Sequence, residues 1–264
     1  MFFSLPYSMS SLYNIKNNLP ILIDFNIIAD NYSSVNKIDP LNTRIIYTRI
    51  LYIMKCFGTD GIRGIAGIEL NEDVAFRCGY ALGTCSNGGT ILLGRDTRES
   101  GEWLSEAFAY GVTVAGGSVI YGGILPTPAV AVITKKLGAS FGAVISASHN
   151  APHYNGIKLL DGNGHKLSKK TEEYLESLMD KPQGGPRPFQ LTEDTNISGY
   201  YCDFLRSFGY NLQGLRIVLD SANGAAGAIA KKVFEASGAE IISINDGCDG
   251  SFINHKSGAL HPDS

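Results

Sequence analysis

From Cys56 onward, short runs of apolar and β-branched residues alternate with longer stretches whose apolar residues recur at helical spacing, and this alternation restricts the fold more than any other feature of the chain. Repeated strand–helix units predict an α/β protein with a mainly parallel mixed sheet covered by helices on both faces. Thr90 to Leu93 reads as a strand ending at the loop Gly94-Arg95-Asp96, Val119-Ile120 begins the next, and Phe141 to Ile145 is another. Asn71-Glu72-Asp73 opens a helix through Cys85, with its acidic residues in the first turn, where the helix dipole favours them. Ser100 is the expected N-cap of a helix to about Ala115, which carries Trp103, Leu104, Ala107, Phe108 and Val112 on one core-facing side. Pro128 to Leu137 and Ser168 to Leu178 are the next helices, the latter opened by Ser168 and Thr171-Glu172-Glu173.

Lys181-Pro-Gln-Gly-Gly-Pro-Arg-Pro188 holds three prolines and two glycines in eight residues, a composition that supports neither a helix nor a central strand. A domain boundary is expected there. Residues 54–180 form a first α/β domain, 181–195 a linker, and 196–264 an incomplete second unit of the same kind. That unit has helices over Tyr200 to Phe208 and Ala225 to Ser237 and strands over Leu215 to Leu219 and Ile241 to Ile244. Residues 1–53 have a different character, rich in Asn, Ile, Tyr and Ser, with no glycine before Gly58. Leu19 to Ile28 is interrupted by Asp24 and Asn26, and Arg44 to Met54 by Arg44 and Arg49. Neither makes the roughly 20-residue apolar run of a membrane span, and no basic, apolar and cleavage-site sequence of a secretory signal is evident. Met54 is the expected natural start, with residues 1–53 an over-extended reading frame or an unrecognised extension.

At 264 residues and 44% hydrophobic content the chain can bury a sizeable core. A formal charge of −3 without a basic stripe argues against a nucleic-acid partner, which would need clustered Lys and Arg. The 31 glycines are spread along the chain, as tight turns require. Cys56, Cys78, Cys85, Cys202 and Cys248 are odd in number and include no C-x-x-C pair, so they read as free thiols in a reducing cytoplasm.

Chemistry in α/β proteins collects where strands hand over to loops, and Ile145-Ser-Ala-Ser148-His149-Asn150 lies at such a point. Turn residues fill Asn150-Ala-Pro-His-Tyr-Asn155-Gly156, which would hold the Ser148 hydroxyl outward as a nucleophile. Capping or turning the chain is the plainer role for any single Ser-His-Asn.

Ser148-His149-Asn150 followed by Tyr154-Asn155-Gly156-Ile157-Lys158 resembles the phosphoserine loop of the α-D-phosphohexomutases. Four further segments agree in order and spacing: Phe57-Gly-Thr-Asp60-Gly-Ile-Arg63-Gly64, Gly94-Arg95-Asp96-Thr97-Arg98, Pro126-Thr127-Pro128-Ala129 and Asp220-Ser-Ala-Asn223-Gly224-Ala-Ala-Gly227. The resemblance covers about Met54 to Ser264 and implies domain one and part of domain two of a four-domain enzyme. It further implies that phosphorylated Ser148 exchanges its phosphoryl group with a sugar phosphate through a bisphosphate intermediate. Lys158 is then a general acid/base and electrostatic group, Arg63 a charge-stabilising cation, and His149 a residue that orients or shuttles protons. The implied cofactor is Mg²⁺, held in part by the phosphoryl group on Ser148, and the implied substrate is a hexosamine phosphate, with no nucleic acid or membrane as partner and a cytoplasmic location. Phe57-Gly-Thr-Asp60-Gly-Ile-Arg63 and Asn254-His255 through His261-Pro262-Asp263 favour the glucosamine-phosphate branch over phosphomannomutases and phosphoglucomutases, with a non-catalytic phosphosugar-binding domain as the other class.

The family's D-G-D-x-D-R metal loop, G-E-x-S-G sugar motif and R-x-S-G-T-E-P phosphate clamp do not occur in the 264 residues. The chain on its own is therefore expected to be catalytically inactive. Arg95 to Arg98 is expected to buttress the Ser148 loop, Asn223 to Gly227 to make a tight turn, and Asp246-Gly-Cys-Asp249-Gly250 to be a turn rather than a calcium loop.

Overall fold

A computed structural model describes Cys56–Ala259 and His261, together with the backbone of Leu12–Tyr13 and Pro20–Ile21. The chain divides into two compact units, Met1–Met54 and Lys55–Ser264. In the first, Leu12–Tyr13 pairs antiparallel with Pro20–Ile21. Apart from that pair, the expectations placed on residues 1–53 fall outside the described residues.

The second unit is built on strands β1 (Ile62–Ile65), β2 (Thr90–Arg95), β3 (Ser118–Ile124), β4 (Phe141–Ile145) and β5 (Tyr154–Asp161), in the order β1-β5-β4-β2-β3. β4, β2 and β3 are mutually parallel, whereas β5 runs antiparallel to both of its neighbours. The mainly parallel mixed sheet is as expected, but β1 and β5 are strands in addition to those expected, and Tyr154 to Gly156 belongs to β5 rather than to a loop. The reason is local. A Cβ at residue 156 would lie 2.7 Å from the Ser146 carbonyl oxygen and 2.8 Å from that of Ile62, so a glycine that reads as a turn former is what lets three strands approach there.

Helices α1 (Glu72–Ser86), α2 (Ser100–Val114) and α4 (Lys169–Met179) cover one face, where Ile91, Leu93, Ala143, Ile145, Ile157 and Leu159 point. Leu92, Val144 and Leu160 point the other way, onto α3 (Thr127–Leu137) and α5 (Asn196–Arg206). Successive strand residues thus serve alternate cores, and β2 and β4 read as unbroken apolar runs because both faces are buried.

Helix starts follow local chemistry in two cases and long-range chemistry in a third. The Asn71 side chain accepts a hydrogen bond from Val74 N–H, and the Ser168 hydroxyl accepts one from Thr171 N–H. Ser100 was the expected N-cap of α2, but Glu99 occupies that position without a side-chain cap. The Ser100 hydroxyl instead accepts a hydrogen bond from the Asn155 side chain at 2.9 Å, tying α2 to β5. α3 begins with Thr127-Pro128 and ends at Gly138, whose φ of 64° is left-handed.

α1 and α2 cross through a glycine contact. A Cβ on Gly79 would lie 2.0 Å from the Phe108 carbonyl oxygen, and one on Gly111 would lie 2.1 Å from that of Phe76. Gly79→Ala is therefore expected to force these backbones apart and lower stability by about 1–3 kcal/mol. Gly199→Ala in α5, with open space around it, is expected to be neutral or to stabilise by up to about 1 kcal/mol. Thermal melts of the two variants check this, and equal midpoints would refute the close-contact account.

Lys181 to Pro188 carries neither helix nor strand, as its composition predicts. The chain after it packs back on the sheet: Phe189 and Leu191 join the first core, and Asp194 N–H donates to Tyr121 O beside a Tyr121–Glu193 bridge along β3. A β–α–β unit follows, in which β6 (Arg216–Asp220) pairs parallel with β7 (Glu240–Ile244) and α6 (Gly227–Ala236) lies between them in sequence. Ile197 and Tyr201 of α5 and Ile229 of α6 complete the second core.

Candidate active site

The Ser148 loop connects β4 to β5, and every turn of it is tied down. Ile145 pairs with Ile157 at its base, and Ser146 N–H donates to Gly156 O at 2.8 Å. Ser146 is buried; its hydroxyl donates to Asp96 Oδ2 at 2.7 Å and accepts from Ser148 N–H at 3.0 Å. Ser148 follows with a left-handed φ of 58°, a conformation that costs a non-glycine residue roughly 1–3 kcal/mol and persists only where its surroundings impose it. The residue is exposed, as is His149.

The imposing group is Arg98, at the end of the Gly94 to Arg98 segment. Its side chain has no exposure, and its guanidinium donates to Ala151 O at 2.5 Å, Tyr154 O at 2.9 Å, Ser148 O at 3.1 Å and Asn150 O at 2.8 Å. Nε completes the set with Asp96 Oδ2 at 3.0 Å. Burial pushes the Arg98 pKa down, and the Asp96 carboxylate opposes that shift. The buttressing role expected of this segment is thus carried by Arg98, whose five donors are matched by carbonyls and a carboxylate, together with Asp96, which also accepts from Ser146.

The two expected cations meet beside the loop through a third residue, Asp60. Asp60 Oδ2 accepts from Lys158 Nζ at 2.8 Å and from Arg63 Nη2 at 2.7 Å. Those bonds, the Lys158 hydrogen bond foremost, hold the Asp60 carboxyl below its ordinary pKa against the opposing effect of desolvation. Arg63 Nη1 also donates to Asn150 Oδ1 at 3.3 Å, which links the cluster to the Ser148 loop. Arg63 sits on β1 opposite Gly156 and Lys158 on β5 opposite Val144, so neighbouring strands fix both. Lys158 retains 16% side-chain exposure. Among the described residues no hydrogen bond joins His149 to Lys158 or Arg63. Asp60 had one sequence signal, its i,i+3 spacing to Arg63 before Gly61, where a Cβ would lie 2.3 Å from Ile157 O.

Asn254, marked in the sequence only as a branch signal, also reaches the loop: its side-chain Nδ2 donates to Ser148 O at 2.9 Å and Asn150 O at 3.1 Å. Nearby, Thr97 Oγ1 donates to Asn223 O at 2.6 Å, and Ala222 and Asn223 are both left-handed, so Asn223 to Gly227 is a tight turn as expected. Among the described residues no three His, Cys, Asp or Glu side chains come together as a metal site. A phosphoryl group on Ser148 would offer Mg²⁺ oxygen ligands, but the described donor set does not complete an octahedral site. No described helix is long and apolar enough to cross a membrane.

Residues 54–184 match the family model for phosphoglucomutase/phosphomannomutase, α/β/α domain I. A phosphoglucosamine mutase of Clostridioides difficile is 42% identical over 220 residues, covering 79% of this chain and 49% of the relative. One from a Thermotoga species is 44% identical over 216 residues with the same coverage. The crystal structure of a phosphoglucomutase/phosphomannomutase family protein from Burkholderia thailandensis superposes with a TM-score of 0.64 at 28% identity, over 78% of this chain and 46% of that one. The chain spans about half the length of the curated relatives it matches. With its strand order, its serine loop and these matches, the chain belongs to the phosphoglucomutase/phosphomannomutase family, and residues 54–184 are its α/β/α domain I.

Proposed function

We propose that Ser148 is the phosphoryl carrier of a phosphoglucosamine mutase, which interconverts glucosamine 6-phosphate and glucosamine 1-phosphate. The observation that carries this is the Ser148 loop itself. An exposed serine is held left-handed while the carbonyls around it turn inward to Arg98, leaving its side chain free of structural duty. The relatives at 42% and 44% identity carry the phosphoglucosamine mutase name, which favours the amino sugar over mannose or glucose phosphates.

In the proposed reaction a sugar hydroxyl oxygen attacks phosphorus in line. The phosphorus–Oγ bond to Ser148 breaks as the new phosphorus–oxygen bond forms, and the hydroxyl proton passes to a base. The bisphosphate then reorients and returns its other phosphoryl group to Ser148 by the reverse steps. Lys158 and Arg63 together carry two positive charges against the single negative charge of Asp60, so the cluster keeps a net positive charge toward the phosphoryl oxygens. Lys158, an ammonium in its pair with Asp60, gives its proton to the departing Ser148 oxygen and recovers one from the attacking hydroxyl, and His149, adjoining the nucleophile, orients that hydroxyl. Mg²⁺, when bound, would add charge neutralisation at the phosphoryl group, with carboxylates that are not among the described residues.

Residues 54–180 are read as the first domain, 181–195 as the connection and 196–264 as the opening part of a second. The 264 residues, lacking an aspartate loop, are expected to show no mutase turnover by themselves. Peptide mapping of the full-length protein after incubation with a hexose 1,6-bisphosphate tests the assignment. The phosphate is expected on Ser148, and a label on Ser146 or Thr127 instead would sink it.

A further inference from the structure

We propose that Asn254 is a positioning residue for the nucleophile, the second jaw of a clamp whose first jaw is Arg98. The inference rests on the reading of Ser148 as phosphoryl carrier. Arg98 Nη2 donates to the carbonyls of Ser148 and Asn150, and Asn254 Nδ2 donates to the same two oxygens at 2.9 and 3.1 Å. A carbonyl oxygen has two lone pairs, so both oxygens are doubly engaged, and rotation of the Ser148 peptide away from its left-handed φ would break bonds to both jaws. Both partners of the Asn254 amide are acceptors, which fixes its nitrogen, not its oxygen, toward the loop.

The two jaws come from different parts of the chain. Arg98 follows β2 of the five-stranded sheet, whereas Asn254 lies beyond β7 and is itself seated by its N–H on Ala222 O at 3.0 Å, after β6. Asn254 is left-handed too, with φ 58°, a conformation that asparagine accepts more readily than other residues carrying a Cβ. Thr97 Oγ1 on Asn223 O and the Thr97 carbonyl against Gly250, where a Cβ would lie 2.0 Å away, close the same seam. The serine is therefore held from both sides only while the β6–α6–β7 unit is docked. Displacement of that unit would loosen Ser148 without touching the Lys158–Asp60–Arg63 cluster.

Asn254→Asp replaces the donor with a carboxylate of the same shape facing two carbonyls, and Asn254→Ala removes it. Three amides report on the loop: Ser148 N–H on Ser146 Oγ, Asn150 N–H on Ala147 O and Tyr154 N–H on Ala151 O. Hydrogen exchange at these three is expected to accelerate about tenfold in both variants, with exchange in β2 and β6 and the thermal midpoint little changed. In parallel, transfer of label from a hexose 1,6-bisphosphate to Ser148 is expected to lose about tenfold in maximal rate with half-saturation unchanged, the split that a mispositioned nucleophile gives. Unchanged exchange at the three amides would overturn the clamp, as would acceleration spread evenly through the β6–α6–β7 unit. If the loop loosens as expected but Ser148 takes no label in the unsubstituted protein, the clamp stands and the phosphoryl-carrier reading falls.

Discussion

Replacing Arg98 by methionine is expected to remove about 3–5 kcal/mol of stability, the range for breaking a buried ion pair from one side. Methionine has similar length and fills the space, so the loss is that of charge and donors rather than of volume. Asp96, at 8% side-chain exposure, would keep its carboxylate with only Ser146 Oγ and the residue 98 N–H as donors. The carbonyls of Ala151 and Tyr154 would lose Arg98 Nη1, and those of Ser148 and Asn150 would be left to Asn254. For a domain of this size the loss corresponds to a fall of roughly 6–20 °C in the melting midpoint. Arg206→Met is the control. Its ion pair with Asp203 spans 3.7 Å with both side chains more than half exposed, and the expected change is within about 0.5 kcal/mol. A midpoint for Arg98→Met as high as that for Arg206→Met would show that the loop is held by its turn residues alone.

Where a structural feature depended on neighbours in sequence, it was legible. The apolar runs of β2 and β4 are strands because each residue meets one of two cores, and the caps at Asn71, Ser168 and Gly138 act within one helical turn. Where a feature depended on pairing across the chain, the local signal pointed elsewhere. Gly64, Asn155 and Gly156 look like turn formers, yet they lie in strands: a Cβ on Gly64 would lie 2.6 Å from Glu69 Cβ and one on Gly156 2.7 Å from Ser146 O, while Asn155 directs its side chain to Ser100 and the Gly156 N–H. Ser100 carries the residue type of an N-cap, but Asn155 claims its hydroxyl from across the fold.

The same division runs through the site. Ser148 could be named by its place at a strand end, and Lys158 and Arg63 by the family resemblance of their segments, whereas Asp60 as their bridge and Asn254 as a loop donor required the register of β1 on β5 and the seat beyond β7. His149 was named by adjacency to Ser148, and the structure joins it to neither cation.

That register makes the roles proposed for Lys158 and Arg63 separable from folding. Both sit at the rim beside the Ser148 loop, and each still leaves Asp60 one cationic partner when the other is removed. Lys158→Ala therefore exposes no unpaired carboxylate to a buried environment, Asp60 being about half exposed, and the expected stability loss is no more than about 1 kcal/mol. Arg63→Ala additionally loses the bond to Asn150 Oδ1, a second modest contribution at the surface. Turnover responds on a different scale. A cation facing the moving phosphoryl group, or a proton carrier at the attacking hydroxyl, contributes on the order of 10²–10⁴ to the rate. Each substitution in the full-length protein is accordingly expected to cost two to four orders of magnitude in kcat, read by a coupled mutase assay beside a thermal melt. Asp60→Asn, which keeps both cations but releases them from their anchor, should fall between the unsubstituted protein and the alanine variants. If Lys158→Ala and Arg63→Ala unfold readily yet keep their rate per folded molecule, the cluster is a strut for β1 on β5 and the chemistry lies elsewhere.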